Sequence, residues 1–205
     1  SISEDYNYND FVTELYLSIK KLNINKLSIC GYSMGGRLAI AFAAAYPAKI
    51  NTLILESCGL GIVDKNAKNK RYREDLSLSN TITQDLPEFV RIWQKNTLFV
   101  NQEKRNKIEF KIQEENRLSH DPVQLAKAMM SFSQGTINSY QNKFSTFNFP
   151  ISIINGEEDS KYLKIGIKIS TLNKHVKQYV ISKASHNTHL ENPQEFIDIL
   201  KRMNI

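Results

Sequence analysis

Apolar positions recur along this chain in two alternating patterns, short unbroken runs and longer stretches at helical spacing, and their order predicts the architecture. Phe11, Leu15, Ile19 and Leu22 repeat at three- and four-residue intervals, with Asn9 or Asp10 as a cap and Glu14 in the first turn, which predicts a helix. Leu27, Ile29 and Cys30 follow as a short buried strand, and Leu38 to Ala45 reads as a small-residue helix, slim enough to lie against a sheet and ending near Tyr46 and Pro47. Thr52 to Glu56 (TLILE), Ile151 to Asn155 (ISIIN) and Gln178 to Ile181 (QYVI) are three further strands. Helical patterns follow the last two, over Lys161 to Leu172 and Phe196 to Met203. Strands alternating with helices predict a doubly wound, parallel α/β sheet.

The interval from Ser57 to Pro150 is far longer than the dozen or so residues that a crossover between parallel strands needs. Its periodic segments, Ala67 to Leu78, Leu86 to Gln94, Gln102 to Asn116 and Val123 to Phe132, are helical in pattern, with no β-rich run among them. The expected organisation is a core of residues 1–63 and 146–205 with a helical lid, 64–145, inserted over the carboxyl ends of the strands, where open α/β sheets place their sites.

Composition narrows the class. With 205 residues, 41% hydrophobic and 23% charged, the chain has room for one globular domain carrying an insertion. No apolar run is long enough to span a bilayer and no basic-start signal pattern opens the chain, so a soluble, cytoplasmic protein away from membranes is expected. The two cysteines, Cys30 and Cys58, form neither a disulfide framework nor a metal spacing and read as buried thiols. The net charge of +6 is scattered rather than gathered into a basic stripe, which argues against nucleic acid and leaves cations to spare for a small anionic substrate.

The candidate chemistry lies in Lys26 to Ala41, KLSICGYSMGGRLAIA, where Ser33 sits at the centre of G-x-S-x-G between a strand and a helix. That is the pattern of a nucleophile elbow, against the plainer reading of a tight turn with a serine cap. Gly31 and Gly35 are expected to permit close backbone approach, and the helix N-terminus favours negative charge beside Ser33. A serine hydroxyl needs a histidine held by a carboxylate, in the chain order Ser, acid, His for this arrangement. The third strand runs into Glu157, Glu158 and Asp159, and the fourth into Ser185, His186 and His189. Asp159 and His186 are the acid and base of choice, with Glu157 or Glu158 as substitutes for the acid. The plainer readings are a solvated turn acid and a capping or surface histidine. His186 and His189 together would suggest a metal, but no third ligand stands at a recognised spacing, so neither metal nor other cofactor is expected. His120 and His175 lack comparable context. Asn192, Pro193 and Glu195 supply the cap, first-turn proline and capping-box acid of the last helix, which leaves His186 in the preceding loop. Arg37 stands in the first turn of the elbow helix, where a cation opposes the dipole and its burial calls for an anion. That anion is either a substrate carboxylate or the acid of a structural ion pair.

On GYSMGGRLAIAFAAAYP, LILES and the LEN of HNTHLENP, the chain resembles over its whole length the 2-succinyl-6-hydroxy-2,4-cyclohexadiene-1-carboxylate synthases of menaquinone biosynthesis, which have the α/β-hydrolase fold. The resemblance implies a lyase whose Ser, His and Asp triad abstracts a proton and eliminates pyruvate from 2-succinyl-5-enolpyruvoyl-6-hydroxy-3-cyclohexene-1-carboxylate, without a cofactor. It places Ser33, Asp159 and His186 in the triad, and Tyr32, Met34, Arg37, Arg71, Trp93 and Arg117 against a substrate with several carboxylates. Arg73 rivals Arg71, Trp93 also reads as lid core, and Arg117 as surface charge. A serine esterase or thioesterase on the same triad is the alternative activity.

Two departures stand out. Ser185 occupies the place where the family usually has glycine before the histidine, a change that either shifts that loop or is absorbed because serine is small. The fold it resembles also has about two more β/α units, on the order of 60 to 80 residues, before the first helix, together with an HG-type loop that supplies an oxyanion donor. The backbone N–H of Met34 would then be the donor that remains, and the first strand would have an open edge that invites self-association. A truncated chain without activity of its own is therefore a third expectation.

Overall fold

The computed structural model describes residue 3, residues 5–99 and residues 101–203. The remaining positions, 1, 2, 4, 100, 204 and 205, which the expected core and lid boundaries include, lie outside the described residues. The chain divides into two compact units, Asn9–Leu60 with Tyr140–Ile205, and Ser1–Tyr8 with Gly61–Ser139.

The first unit is built on four strands, β1 (Leu27–Tyr32), β2 (Ile50–Glu56), β3 (Ile151–Gly156) and β4 (Val176–Ile181), all parallel and in the spatial order of the sequence. Leu53 pairs with Ile151, and Ile151 in turn with Val176. β3 is buried at every position, which explains why Ile151, Ile153 and Ile154 occupy both of its faces; Ser152 and Asn155 are its buried polar residues. Among the described residues β1 and β4 are the edges of this sheet. Helix α1 (Tyr8–Lys21) precedes β1, and α2 (Met34–Ala45) packs against β1 and β2. The long helix after β3 (Ser160–Ser170) covers β3 and β4, and the last one (Pro193–Arg202) packs on β4. Ile54, Ile154, Ile181, Ala184 and Ile199 form one buried cluster, flanked by Phe196 and Leu200 of that last helix.

Three expectations shift by physical causes. Asn9 and Asp10 lie inside α1, because the helix starts at Tyr8. Leu22 is 70% exposed, since α1 ends one residue earlier; Tyr8, Val12 and Ile19 are its buried positions. Cys58 is buried as expected, whereas Cys30 is exposed on β1.

The second unit is helical. Its helices include α3 (Lys65–Gln84), α4 (Leu86–Gln94), α5 (Gln102–Arg105), α6 (Lys107–Leu118) and α7 (Pro122–Ser131). The side chains of Asp64, Asp85, Asn106 and Asp121 accept hydrogen bonds from the first turns of α3, α4, α6 and α7. Asn106 thereby splits into two helices the single helix expected over Gln102 to Asn116. Ile82, Leu86, Phe89, Val90 and Ala126 form this unit's own core.

The points where the chain leaves and re-enters the sheet unit are pinned together. The N–H of Tyr140 donates to the carbonyl of Leu60 at 2.7 Å. One residue further out, a Cβ on Gly61 would stand 3.1 Å from Cα of Ser139, and Gly61 itself has φ +93°, a conformation open to glycine. Among the described residues, no helix is long and apolar enough to cross a membrane.

Candidate active site

Each of the four strands delivers one polar residue at its carboxyl end: Ser33 after β1, Glu56 at the end of β2, Asp159 after β3 and His186 after β4. The chain turns at Ser33 with φ 49° and ψ −106°, a positive φ that costs a residue with a Cβ and recurs at functional turns. Although Ser33 immediately precedes α2, its hydroxyl makes no capping bond, which removes the serine-cap reading. Its N–H donates instead to the carbonyl of Glu56 at 2.8 Å.

Two glycines make this bend sterically accessible, and they are not both the expected ones. A Cβ on Gly31 would stand 2.4 Å from the carbonyl oxygen of Gly35, and a Cβ on Gly36 would stand 2.6 Å from Sγ of Cys58. Gly35 has nothing within 4 Å of where a Cβ would be, so close approach depends on Gly31 and Gly36.

Ser33 Oγ lies 3.1 Å from Nε2 of His186, and Nδ1 of His186 lies 2.7 Å from Oδ2 of Asp159. Since a carboxylate only accepts, this bond puts the proton on Nδ1 and leaves Nε2 able to accept from the serine hydroxyl. Asp159 also caps the helix after β3, its Oδ1 accepting from the N–H of Tyr162 at 3.1 Å. Glu157 and Glu158 are exposed, and Glu157 accepts from the N–H of Lys183 instead. His186 is 1% exposed and packs against the rings of Tyr162 and Tyr32, with centroids at 4.6 and 5.3 Å. The cap of the short helix Thr188–Glu191 is Asn187, so His186 is neither a cap nor a surface histidine. That helix interrupts what reads in sequence as a loop.

Ser185 is accommodated by a partner of its own. Its hydroxyl and N–H both donate to Glu191, at 2.6 and 3.0 Å. The close fit falls on the facing strand, where a Cβ on Gly156 would stand 2.1 Å from the carbonyl oxygen of Ser185.

Sequence reasoning missed Glu56. Its buried side chain accepts from Thr188 Oγ1 at 2.7 Å and from the N–H and Nδ1 of His189 at 3.0 and 2.7 Å. The signal was present, an acid ending the apolar run TLILE. His186 and His189 thus face two different carboxylates, and among the described residues no group of three or more His, Cys, Asp or Glu is placed to hold a metal.

Arg37 is buried in the first turn of α2, its main-chain N–H donating to the carbonyl of Ser33 at 3.4 Å. Burial pushes the Cys58 thiol up to about 12, and the Arg37 charge pulls the other way. Met34, the first residue of α2, is exposed, and its N–H belongs to the helix end whose donors lack intrahelical partners.

The remaining expected contacts lie in the helical unit. Nε of Arg71 donates to both oxygens of Asp75 at 2.8 and 2.9 Å. Asp75 is buried and also accepts from Ser133 Oγ at 2.7 Å, whereas Arg73 is exposed. Trp93 stacks on Phe89 and meets Phe99 at 5.6 Å, against the unit's core. Arg117 donates to Gln113 Oε1 at 2.8 Å and lies over the Phe99 ring at 6.0 Å.

Comparison with known proteins identifies the family. The family profile Hydrolase_4, the serine aminopeptidases S33, matches residues 5–193. A Bacillus subtilis protein that bears the name 2-succinyl-6-hydroxy-2,4-cyclohexadiene-1-carboxylate synthase provisionally is 30% identical over 90% of this chain and 68% of its own length. A Klebsiella pneumoniae protein of the same name is 25% identical over 98% of this chain and 78% of its own. The solved structure of MenH from S. aureus superposes with a TM-score of 0.91 at 28% identity, over 98% of this chain and 77% of that one. A profile match across nearly the whole chain, with the sequence and structural likeness to these relatives, makes the chain a member of the Hydrolase_4 family of α/β hydrolases, within its 2-succinyl-6-hydroxy-2,4-cyclohexadiene-1-carboxylate synthase branch.

Proposed function

We propose that this protein is a lyase that eliminates pyruvate from 2-succinyl-5-enolpyruvoyl-6-hydroxy-3-cyclohexene-1-carboxylate in menaquinone biosynthesis. The observation that carries the reading is the hydrogen-bonded line from Ser33 through His186 to Asp159, one helical turn from the buried cation of Arg37. The names of the relatives support the substrate. His186 Nε2 takes the proton of Ser33 Oγ as that oxygen draws a proton from the substrate ring. The electrons of the broken C–H bond form a ring double bond at C2=C3, the existing C3=C4 pair shifts to C4=C5, and the C5–O bond to the enolpyruvyl group breaks. The departing enolpyruvate is protonated on carbon and leaves as pyruvate. No acyl-enzyme forms. The N–H of Met34 and the N-terminus of α2 stabilise the negative charge that develops. Arg37 binds one substrate carboxylate and Tyr32 lines the site; for Arg71, Trp93 and Arg117 it is the likeness to the synthases alone that suggests a part in substrate binding.

The test is release of pyruvate from the enolpyruvyl substrate by the purified chain, which Ser33→Ala is expected to abolish. Undiminished release by that variant would remove Ser33 from the reaction. An esterase or thioesterase is the second reading, favoured by the strained serine, whose hydroxyl makes no capping bond and suits acyl transfer equally well. Arg37→Ala separates the two, because it cripples turnover of the anionic substrate while sparing a neutral ester.

A further inference from the structure

His189 is a histidine of the HNTHLENP segment for which the proposed reaction has no use, yet it is built into a pair with Glu56. The Glu56 side chain, 1% exposed, accepts three hydrogen bonds, all from Thr188 and His189, the second and third residues after His186. The Glu56 carbonyl accepts from the N–H of Ser33. One residue therefore holds both sides of the Ser33–His186 contact, the serine through its main chain and the histidine segment through its carboxylate. The ring of Tyr32 lies 5.3 Å from both imidazoles.

We propose that Glu56 is a positioning residue: with His189 it forms a second carboxylate–imidazole pair that holds the segment carrying His186 against the end of β2, and so sets the distance from His186 to Ser33. Burying a carboxylate is costly, and its neighbours on the strand, Leu53, Ile54 and Leu55, are apolar, so core stability alone would select another apolar residue there. What an apolar side chain cannot supply is direction. It would leave Thr188 Oγ1 and the His189 donors without their acceptor and free the segment to drift. Displacement of a catalytic group by about 1 Å costs on the order of a hundredfold in rate.

This inference rests on reading Ser33 and His186 as the reacting pair, and its test separates the two. A fluorophosphonate probe of serine nucleophilicity is used on the full chain, with the downfield Nδ1 proton of His186, which reports the bond to Asp159, followed in parallel by NMR. His189→Phe and Glu56→Gln are expected to lower the maximal labelling rate of Ser33 by about tenfold with the probe's half-saturation unchanged, and to broaden the His186 resonance. His189→Gln, whose amide still donates to Glu56, is expected to restore most of both. Wild-type labelling and an unchanged resonance in folded His189→Phe and Glu56→Gln would overturn the proposal. A wild-type chain that does not label would refute the nucleophilic serine, and the resonance alone would then decide the role of Glu56.

Discussion

In the sheet unit, four residues at or just past the carboxyl ends of four strands converge on one hydrogen-bonded network; in the helical unit, the candidate residues engage neighbours close in sequence or the unit's own core. Ser33, Glu56, Asp159 and His186 are far apart in the chain, and only the parallel sheet brings them together. Arg71 meets Asp75 and Arg117 meets Gln113, each one helical turn away, and Trp93 fills space beside Phe89. Long-range convergence of buried polar groups is costly unless it has a use, whereas a pairing one turn along a helix is what a helix offers for little. The contrast separates a converged polar network in the sheet unit from local pairing in the helical one, and the proposed chemistry rests on the former.

The sharpest way to break that contrast is Ser33→Ala, expected to lower pyruvate release by at least about 10⁴-fold with the melting temperature unchanged. Asp159→Asn should follow at about 10³- to 10⁴-fold, because the amide favours the wrong imidazole tautomer, and a kcat profile against pH would show it. In the helical unit, Arg117→Ala is expected to raise KM for the polycarboxylate by about tenfold, the worth of one bond to a charged group, while fluorophosphonate labelling of Ser33 stays at the wild-type rate. A fall in labelling would mean that the helical unit takes part in the chemistry. Within the elbow, Gly36→Ala is expected to cost about 2 kcal/mol in chemical denaturation through its clash with Cys58, whereas Gly35→Ala meets no obstacle at its Cβ.

Much of the sheet unit is legible in sequence because its signals are strict. Strands of a parallel sheet are rich in β-branched and other apolar residues, and a strained serine between a strand and a helix demands nearby glycines, so β1 to β3 and Ser33 can be read directly. Asp159 could be distinguished from Glu157 and Glu158 only by burial, which adjacent acids in a turn do not reveal. Glu56 stayed hidden because its meaning depends on Thr188 and His189, which reach it across the sheet. Asn106 and Leu22 illustrate the local limit: a cap inside a periodic stretch, or an apolar residue just past a helix end, leaves the hydrophobic period intact while the backbone has already turned.

The pinned stem at Leu60 and Tyr140, with Gly61 against Ser139 beyond it, has an evolutionary consequence. An insertion whose two ends already meet adds almost no closure entropy to the sheet however long it grows, because that cost rises only with the logarithm of length. A chimaera that grafts another helical segment between residues 60 and 140 is therefore expected to leave the four-stranded sheet folded, so the length and sequence of this insertion can vary with little cost to the unit that carries it.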